Sequence, residues 1–332
     1  MISILLPFRN AEQTLGECLD SIQKQSFEPF EVIAVDDNSN DGSRSIVEKL
    51  DDERFRCSPN PSRGLVSALN FGLTLCQFDL IARMDADDLM ASNRLSCQFE
   101  HFLHTPDLKL SATQADLFPE QAIKAGYKAY MQWQNQVLTH EQIRNNMFVE
   151  SPFAHPSVMF EKSCVIGLGG YREGSFPEDY DLWLRLYEQG YRMEKLPSVL
   201  LHWRESPSRT SRTHPAYSRE AFDQLRAEYL SRDPRLTSSR PIVVWGAGRK
   251  TRQRVKYLQN LGLTVSAWID IDPKKIGNKI QNAWVYDPTW LASRSTRPFV
   301  LIYVTNHGAR EGIETYLKDM GYECGQDSLS VG

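Results

Sequence analysis

The first 90 residues alternate short apolar runs with helix-patterned segments, and this alternation constrains the fold more than any other feature. Residues 2–7 form an apolar run of strand length. Asn10 can cap the helix that follows, where Leu15, Cys18, Leu19 and Ile22 recur at helical spacing. A second strand is expected over 31–35, ending in the polar run Asp36-Asp37-Asn38-Ser39-Asn40-Asp41-Gly42. A short helix with Ile46, Val47 and Leu50 inward, a third strand over 54–58, and a helix marked by Leu65, Ala68, Leu69, Gly72 and Leu73 come next. A fourth strand over 79–84 runs straight into Asp85. This order predicts an α/β fold, a mainly parallel sheet covered by helices on both faces. Ligands of such sheets bind outside the carboxyl ends of the strands. Pro7, Asp36, Asp37, Asp85 and Asp87 all sit at expected strand ends, so they should converge on one crevice.

The middle of the chain is less regular. Helices are expected over 124–137 and 139–147, the second opening on a Thr139-x-x-Gln142 capping box. A strand over 156–160 follows, then a helix opening at Pro177-Glu178-Asp179 and stopping at Gly190. A strand over 198–203, a polar loop over 204–214, a helix near 216–230 and a linker around 233–240 complete this part. At Pro241 the pattern restarts with a strand over 242–245 that ends in Gly246-Ala247-Gly248. A basic helix follows, then a strand over 264–269 ending in Asp270. A strand over 299–305 leads through Asn306-His307-Gly308 into a helix over 309–320. The expected division is a domain over 1–215, a helix and linker over 216–240, and a small α/β domain over 241–332.

Bulk properties narrow the function classes. The 332 residues suit two domains, and 41% hydrophobic content gives each a core. A net charge of −4 offers no general reason to expect nucleic acid as a partner. No apolar run of about 18 residues predicts a membrane-crossing helix. The N-terminus lacks the basic start and cleavage site of a signal peptide. Six scattered cysteines without a Cys-x-x-Cys pair argue against a zinc site or disulfide framework and fit a reducing cytoplasm.

Three acidic segments carry the candidate chemistry. In Asp85-Ala86-Asp87-Asp88, three carboxylates in four residues repel one another unless a cation or hydrogen-bond donors balance them. Such oxygen ligands suit Mg²⁺ or Mn²⁺, and Ala86 lets a ligand approach closely. A solvated acidic turn before a helix is the competing reading. Asp36-Asp37-Asn38 can accept hydrogen bonds from a base or sugar hydroxyl, or cap the next helix as an Asx turn. Glu178-Asp179 at a helix start can serve as a base or as an ordinary N-cap.

Taken in order, these segments resemble the inverting family 2 glycosyltransferases, which have the GT-A fold, a mixed, mostly parallel sheet flanked by helices. The resemblance rests on Pro7-Phe8-Arg9-Asn10-Ala11-Glu12, Val35-Asp36-Asp37-Asn38-Ser39, the stretch from Asn60 through Arg63-Gly64 to Asn70, Asp85-Ala86-Asp87-Asp88, and Glu178-Asp179. It covers roughly residues 1–215. It implies that Pro7 approaches the nucleotide base, Asp37 accepts a hydrogen bond from it, and Asp85 contacts the ribose or diphosphate. Asp87 would bind Mn²⁺ or Mg²⁺, with Asp88 as an alternate ligand, and Asp179 would be the general base. Many members have Tyr where this chain has Arg9, which leaves stacking on the base and contact with phosphate both open. Arg63 is a candidate diphosphate partner. His202 is a candidate to complete the metal shell, with His214 a rival in the loop whose Arg209 and Arg212 could form a lid. His155, with Glu178, falls in a segment that lies beside the acceptor in this family.

The last domain resembles small Rossmann-like nucleotide-binding domains attached to some bacterial sugar-modifying enzymes. Gly246, Gly248 and Asp270 carry that resemblance, although Thr251 stands where G-x-G-x-x-G has its third glycine. Packing or homo-oligomerisation is the other reading of this domain. The expected activity is transfer from a UDP-sugar to a hydroxyl on a glycan, lipid-linked or protein acceptor in surface glycan synthesis. The expected location is cytoplasmic, with peripheral contact at the inner face of the membrane. An NAD(P)-dependent oxidoreductase and a non-catalytic sugar-nucleotide-binding protein are the alternatives. The first would leave the acidic constellation without a task.

Overall fold

The computed structural model describes residues 1–206, 209–237, 239–305 and 308–332. Pro207 and Ser208 of the expected loop, Ser238 of the expected linker, and Asn306 and His307 before the last helix lie outside the described residues. The chain divides into two compact units. Unit 1 comprises Met1–Ile143 and Pro152–His214, and unit 2 comprises Arg144–Ser151 and Pro215–Gly332.

The first part of unit 1 alternates strands and helices: β1 (Ile2–Phe8), α1 (Leu15–Gln23), β2 (Phe30–Asp36), α2 (Ser43–Glu48), β3 (Phe55–Pro59), α3 (Leu65–Leu75) and β4 (Leu80–Arg83). Every residue of β1 and β2 is buried, as expected for strands covered on both faces. Helix α1 buries Leu15, Cys18, Leu19 and Ile22. Its N-cap position is Thr14, not Asn10. Asn10 instead adopts φ 49°, and its side-chain oxygen accepts the Asn40 N–H at 2.9 Å. Asn10 therefore ties two loops together and leaves the helix start to other groups. Helix α3 reaches β1 through Gly72, where a Cβ would collide with Leu5 Cδ1 and press on Val35 Cγ2 at 3.1 Å.

The chain continues through β5 (Leu89–Met90), α4 (Arg94–His104), β6 (Leu108–Phe118), α5 (Ala125–Gln136), α6 (His140–Asn146), β7 (Met159–Glu161), α7 (Lys162–Gly167), α8 (Glu178–Glu188), β8 (Arg192–Arg204) and the turn α9 (Thr210–Thr213). The capping box at α6 forms, with Thr139 Oγ1 accepting the Gln142 N–H at 3.2 Å. The sheet order is β3-β2-β1-β4-β7-β6-β8-β5. Strands β3, β2, β1 and β4 are parallel, and so are β6 and β8. Pairing is antiparallel at β4–β7, β7–β6 and β8–β5. The carboxyl ends of β1, β2 and β4 thus share one edge. Strand β6 was not expected, and β8 starts six residues before the expected strand at 198.

Unit 2 contains α10 (Arg219–Ser231), β9 (Ile242–Trp245), α11 (Arg249–Asn260), β10 (Val265–Ile269), β11 (Lys279–Ile280), β12 (Ala283–Tyr286), β13 (Phe299–Ile302), α12 (Ala309–Asp319) and β14 (Ser328–Ser330). Its sheet order is β11-β12-β10-β9-β13-β14, parallel except for the β11 edge. Val243, Trp245, Ala267, Ile269, Val300 and Ile302 face Leu317 and Tyr322 in its core. Helix α10, expected beside a linker, groups with unit 2 and buries Leu225, Tyr229 and Leu230. Among the described residues, no helix is long and apolar enough to cross a membrane.

Candidate active site

The carboxyl edge of the parallel strands is built from cross-braced loops. Asp37 follows β2 directly, and its N–H bonds the Phe8 carbonyl at 2.8 Å. The buried Asp37 Oδ1 accepts Asn60 Nδ2 and the Gly64 N–H, each at 2.8 Å. Gly64 sits at φ 116°, a left-handed conformation that lets its N–H turn toward Asp37. Arg9 Nη1 lies 4.0 Å from Asp37 Oδ2. Pro7 pairs with Val35 in the strand ladder, so its backbone is fixed beside this carboxylate.

Strand β4 delivers the acidic group. One ligand oxygen each from Asp85, Asp87 and Asp88 lie within 4.8 Å of one another. Ala86 is buried, and its carbonyl accepts Thr14 Oγ1 at 3.1 Å. Asp88 is fully buried; its Oδ1 accepts the Arg204 N–H at 2.7 Å, and its Oδ2 has no hydrogen-bond partner. Burial raises Asp87 to about 6, helped by Asp85 and opposed by Arg209. Burial, then Asp87 and Asp85, push Asp88 well above the carboxylate range. Three crowded acids with an orphaned oxygen have the donor chemistry of a site for a hard divalent cation.

A second acid group lies at the start of α8. Asp179 keeps partial exposure, and its Oδ1 accepts the Tyr180 N–H at 2.7 Å. Crowding by protein raises it to about 8, with Glu178 adding to the rise and the Tyr180 N–H and Arg83 opposing it. Glu178 is buried, 3.9 Å from His155 Nδ1. His155 bonds Tyr171 through Nε2 at 2.9 Å, and burial followed by Arg83 holds its pKa well below the usual value. A partly accessible carboxyl with raised basicity can accept a proton near neutral pH.

Comparison with known proteins places this geometry in a family. The family model for glycosyl transferase family 2 matches residues 3–160. The O-antigen biosynthesis glycosyltransferase WbnJ of Escherichia coli is 30% identical over 240 residues, covering 70% of this chain and 90% of that protein. The chain belongs to glycosyl transferase family 2. Another E. coli relative, a UDP-Gal:alpha-D-GlcNAc-diphosphoundecaprenol beta-1,3-galactosyltransferase, is 30% identical over 220 residues, 65% of this chain and 76% of its own length. The structure of S. aureus TarS 1-349 in complex with UDP-GlcNAc aligns with a TM-score of 0.52 at 17% identity, covering 70% of this chain and 72% of that one. The family 2 enzyme therefore has the expected GT-A type fold, and it is a glycosyltransferase.

Within this glycosyltransferase, the remaining candidates separate. His202 stands outside the acidic group: it lies opposite Asp116 in the β6–β8 pair, and its Nδ1 is 2.7 Å from Asp116 Oδ1. Arg209 stacks over Trp203 at 4.2 Å, bonds Tyr127 and feels all three acids. Arg212 pairs with Glu205, and both Arg63 and His214 are exposed. In unit 2, Asp270 is occupied by its own turn, accepting the Ala247 N–H at 2.8 Å, the Asp272 N–H at 2.9 Å and Lys275 Nζ at 3.1 Å. Gly246, at φ 112°, and Gly248 frame that turn.

Sequence reasoning missed two cations. Arg83 is fully buried at the end of β4 and pairs with Asp85, and Glu178 also stabilises its charge against the cost of burial. It therefore stands between the two acid groups. An arginine closing the run Leu80-Ile81-Ala82 was the available signal. Arg204, the last residue of β8 and the first of the expected loop over 204–214, bonds the Asp87 carbonyl through Nε at 2.6 Å.

Proposed function

We propose that this enzyme transfers a sugar from a UDP-sugar to a hydroxyl of a lipid-linked glycan, with inversion and with a divalent cation. The carrying observation is the pairing of two acid groups with different environments. One is the crowded Asp85, Asp87 and Asp88 set with its orphaned Asp88 Oδ2, and the other is the raised, partly accessible Asp179. Asp87, with Asp85 or Asp88, would hold Mn²⁺ or Mg²⁺, which supplies positive charge to the leaving diphosphate. Asp37 would accept from the uracil, beside the Pro7 backbone and Arg9. Asp179 would take the proton of the attacking hydroxyl, on the face opposite the leaving group. A single base of this kind suits in-line displacement and hence inversion.

The UDP donor and lipid-linked acceptor are supported by the name of the galactosyltransferase relative. A lipid-linked acceptor would bring the enzyme to a membrane surface. For unit 2, the strand order and the Gly246 turn support a Rossmann-like module. Asp270 would have to release Lys275 or a backbone N–H to meet a ribose, which favours a structural role for that carboxylate.

Calorimetry with UDP, with and without Mn²⁺, tests the donor site. Wild type should bind UDP more tightly with Mn²⁺, and Asp87→Ala should lose that gain. Equal affinity in all four combinations would sink the metal assignment. For the base, Asp179→Asn should keep donor affinity and lose turnover by roughly 10²–10⁴-fold.

A further inference from the structure

Charge is divided unevenly along the chain. Residues 215–332 carry 17 lysines and arginines against 12 aspartates and glutamates, a formal +5, while residues 1–214 carry 21 against 30, a formal −9. Within unit 2 the excess gathers on α11. That helix, with sequence RKTRQRVKYLQN, contains no acid. It buries Thr251, Val255 and Leu258, and turns Arg254 to Asp223 at 2.9 Å. Arg249, Lys250, Arg252 and Lys256 are left exposed, and none forms an ion pair among the described residues.

This arrangement opposes helix stability. Arg249, Lys250 and Arg252 occupy the first turn, where the helix end is already positive. Arg249–Arg252 and Arg252–Lys256 are like-charge pairs at i,i+3 and i,i+4. An apposed anionic surface would reverse both penalties. The neighbouring loop adds two further elements. Ala247 bonds Asp270, so the residues after β10 lie on the edge where α11 begins. There Ile271 is 76% exposed, and Lys274 is exposed without an ion pair among the described residues. Asp270 and Asp272 flank Ile271, and Lys275 pairs with both. A bare isoleucine beside the unpaired Lys274 and the α11 cations therefore suits a lipid headgroup layer better than a soluble phosphate, because the phosphate gives the isoleucine nothing to enter.

We infer that the start of α11 and the loop carrying Ile271 and Lys274 form a docking surface for the anionic lipids of a membrane. It rests on the reading of a lipid-linked acceptor only for its purpose, and the binding itself can be measured without any acceptor.

The test is sedimentation of the full chain with vesicles of phosphatidylcholine, with and without phosphatidylglycerol. Binding should require phosphatidylglycerol and weaken as salt rises. Arg249→Glu/Lys250→Glu should lower partitioning by at least about tenfold, and Ile271→Ser should lower it further at an unchanged melting temperature. If the double reversal fails to fold, Lys250→Gln/Lys256→Gln replaces it, with a loss of several-fold expected. Absence of binding to the anionic vesicles, or equal binding by the variants, overturns the proposal. Calorimetric binding of pyrophosphate without vesicle binding also overturns it, in favour of a soluble anion. Transfer to a detergent-dispersed acceptor tests the proposed function separately, so vesicle binding and catalysis can fail independently.

Discussion

Glu178→Gln should move the alkaline dependence of catalysis to lower pH. Asp179 is raised to about 8, first by its crowded surroundings and then by the like charge of Glu178. A base must be ionised to accept a proton, so activity rises with pH and levels off above about 8. At pH 7 about a tenth of Asp179 is ionised, from the one-unit gap between pH and pKa. A like charge close to a carboxyl raises its pKa by on the order of one unit or more. Removing it leaves roughly half of Asp179 ionised at pH 7, so kcat/KM there gains about fivefold relative to its own plateau. The substitution breaks no ion pair with His155, because that imidazole is held neutral by burial and Arg83. Arg83 and the Tyr180 N–H stay in place and continue to favour the ionised form. The assay is kcat/KM for the acceptor between pH 5.5 and about 9.5, at saturating donor and metal. The argument concerns the position of the limb, whatever the plateau height. A limb that stays put, or moves to higher pH, refutes the assignment of Asp179 as the titrating base beside an ionised Glu178.

Two further predictions concern the scaffold. Gly72→Ala places a methyl group against Leu5 and Val35 where α3 meets β1, and should destabilise the chain by about 1–3 kcal/mol in urea unfolding. Lys195 is buried with its ammonium on the Gln134 and Pro152 carbonyls, and burial lowers its pKa from 10.5 to about 7. The unfolded chain therefore binds this proton more tightly, so Lys195 makes stability rise with pH between about 7 and 10.5 and adds no slope below 7. Lys195→Met should remove that slope, read as the difference in urea midpoint between variant and wild type at pH 7 and about 9.5.

The parallel half of unit 1 is legible because each strand is covered on both faces and carries its burial as a local apolar run. Strand β6 is not, because its buried middle includes Ser111 and Thr113. Thr113 Oγ1 donates to the Gln114 carbonyl at 3.0 Å, whereas Ser111 enters the core with polar partners from outside the strand. Gln98 Nε2 reaches the Ser111 carbonyl at 2.8 Å, and His101 Nδ1 lies 2.9 Å from the Ser111 hydroxyl. Both partners come from α4, so no pattern within 108–118 reports them. The same logic divides the candidate active site. Asp85, Asp87 and Asp88 are visible as a cluster because they are adjacent in the chain, and the resemblance to family 2 joined them to Asp179. Arg83 belongs to neither motif, and its burial makes sense only when Asp85 and the distant Glu178 are considered together. A buried guanidinium without such acids would be strongly unfavourable, and the acids without it would be still more crowded. The two acid groups are therefore electrostatically dependent on one residue between them, a dependence that no local motif can display.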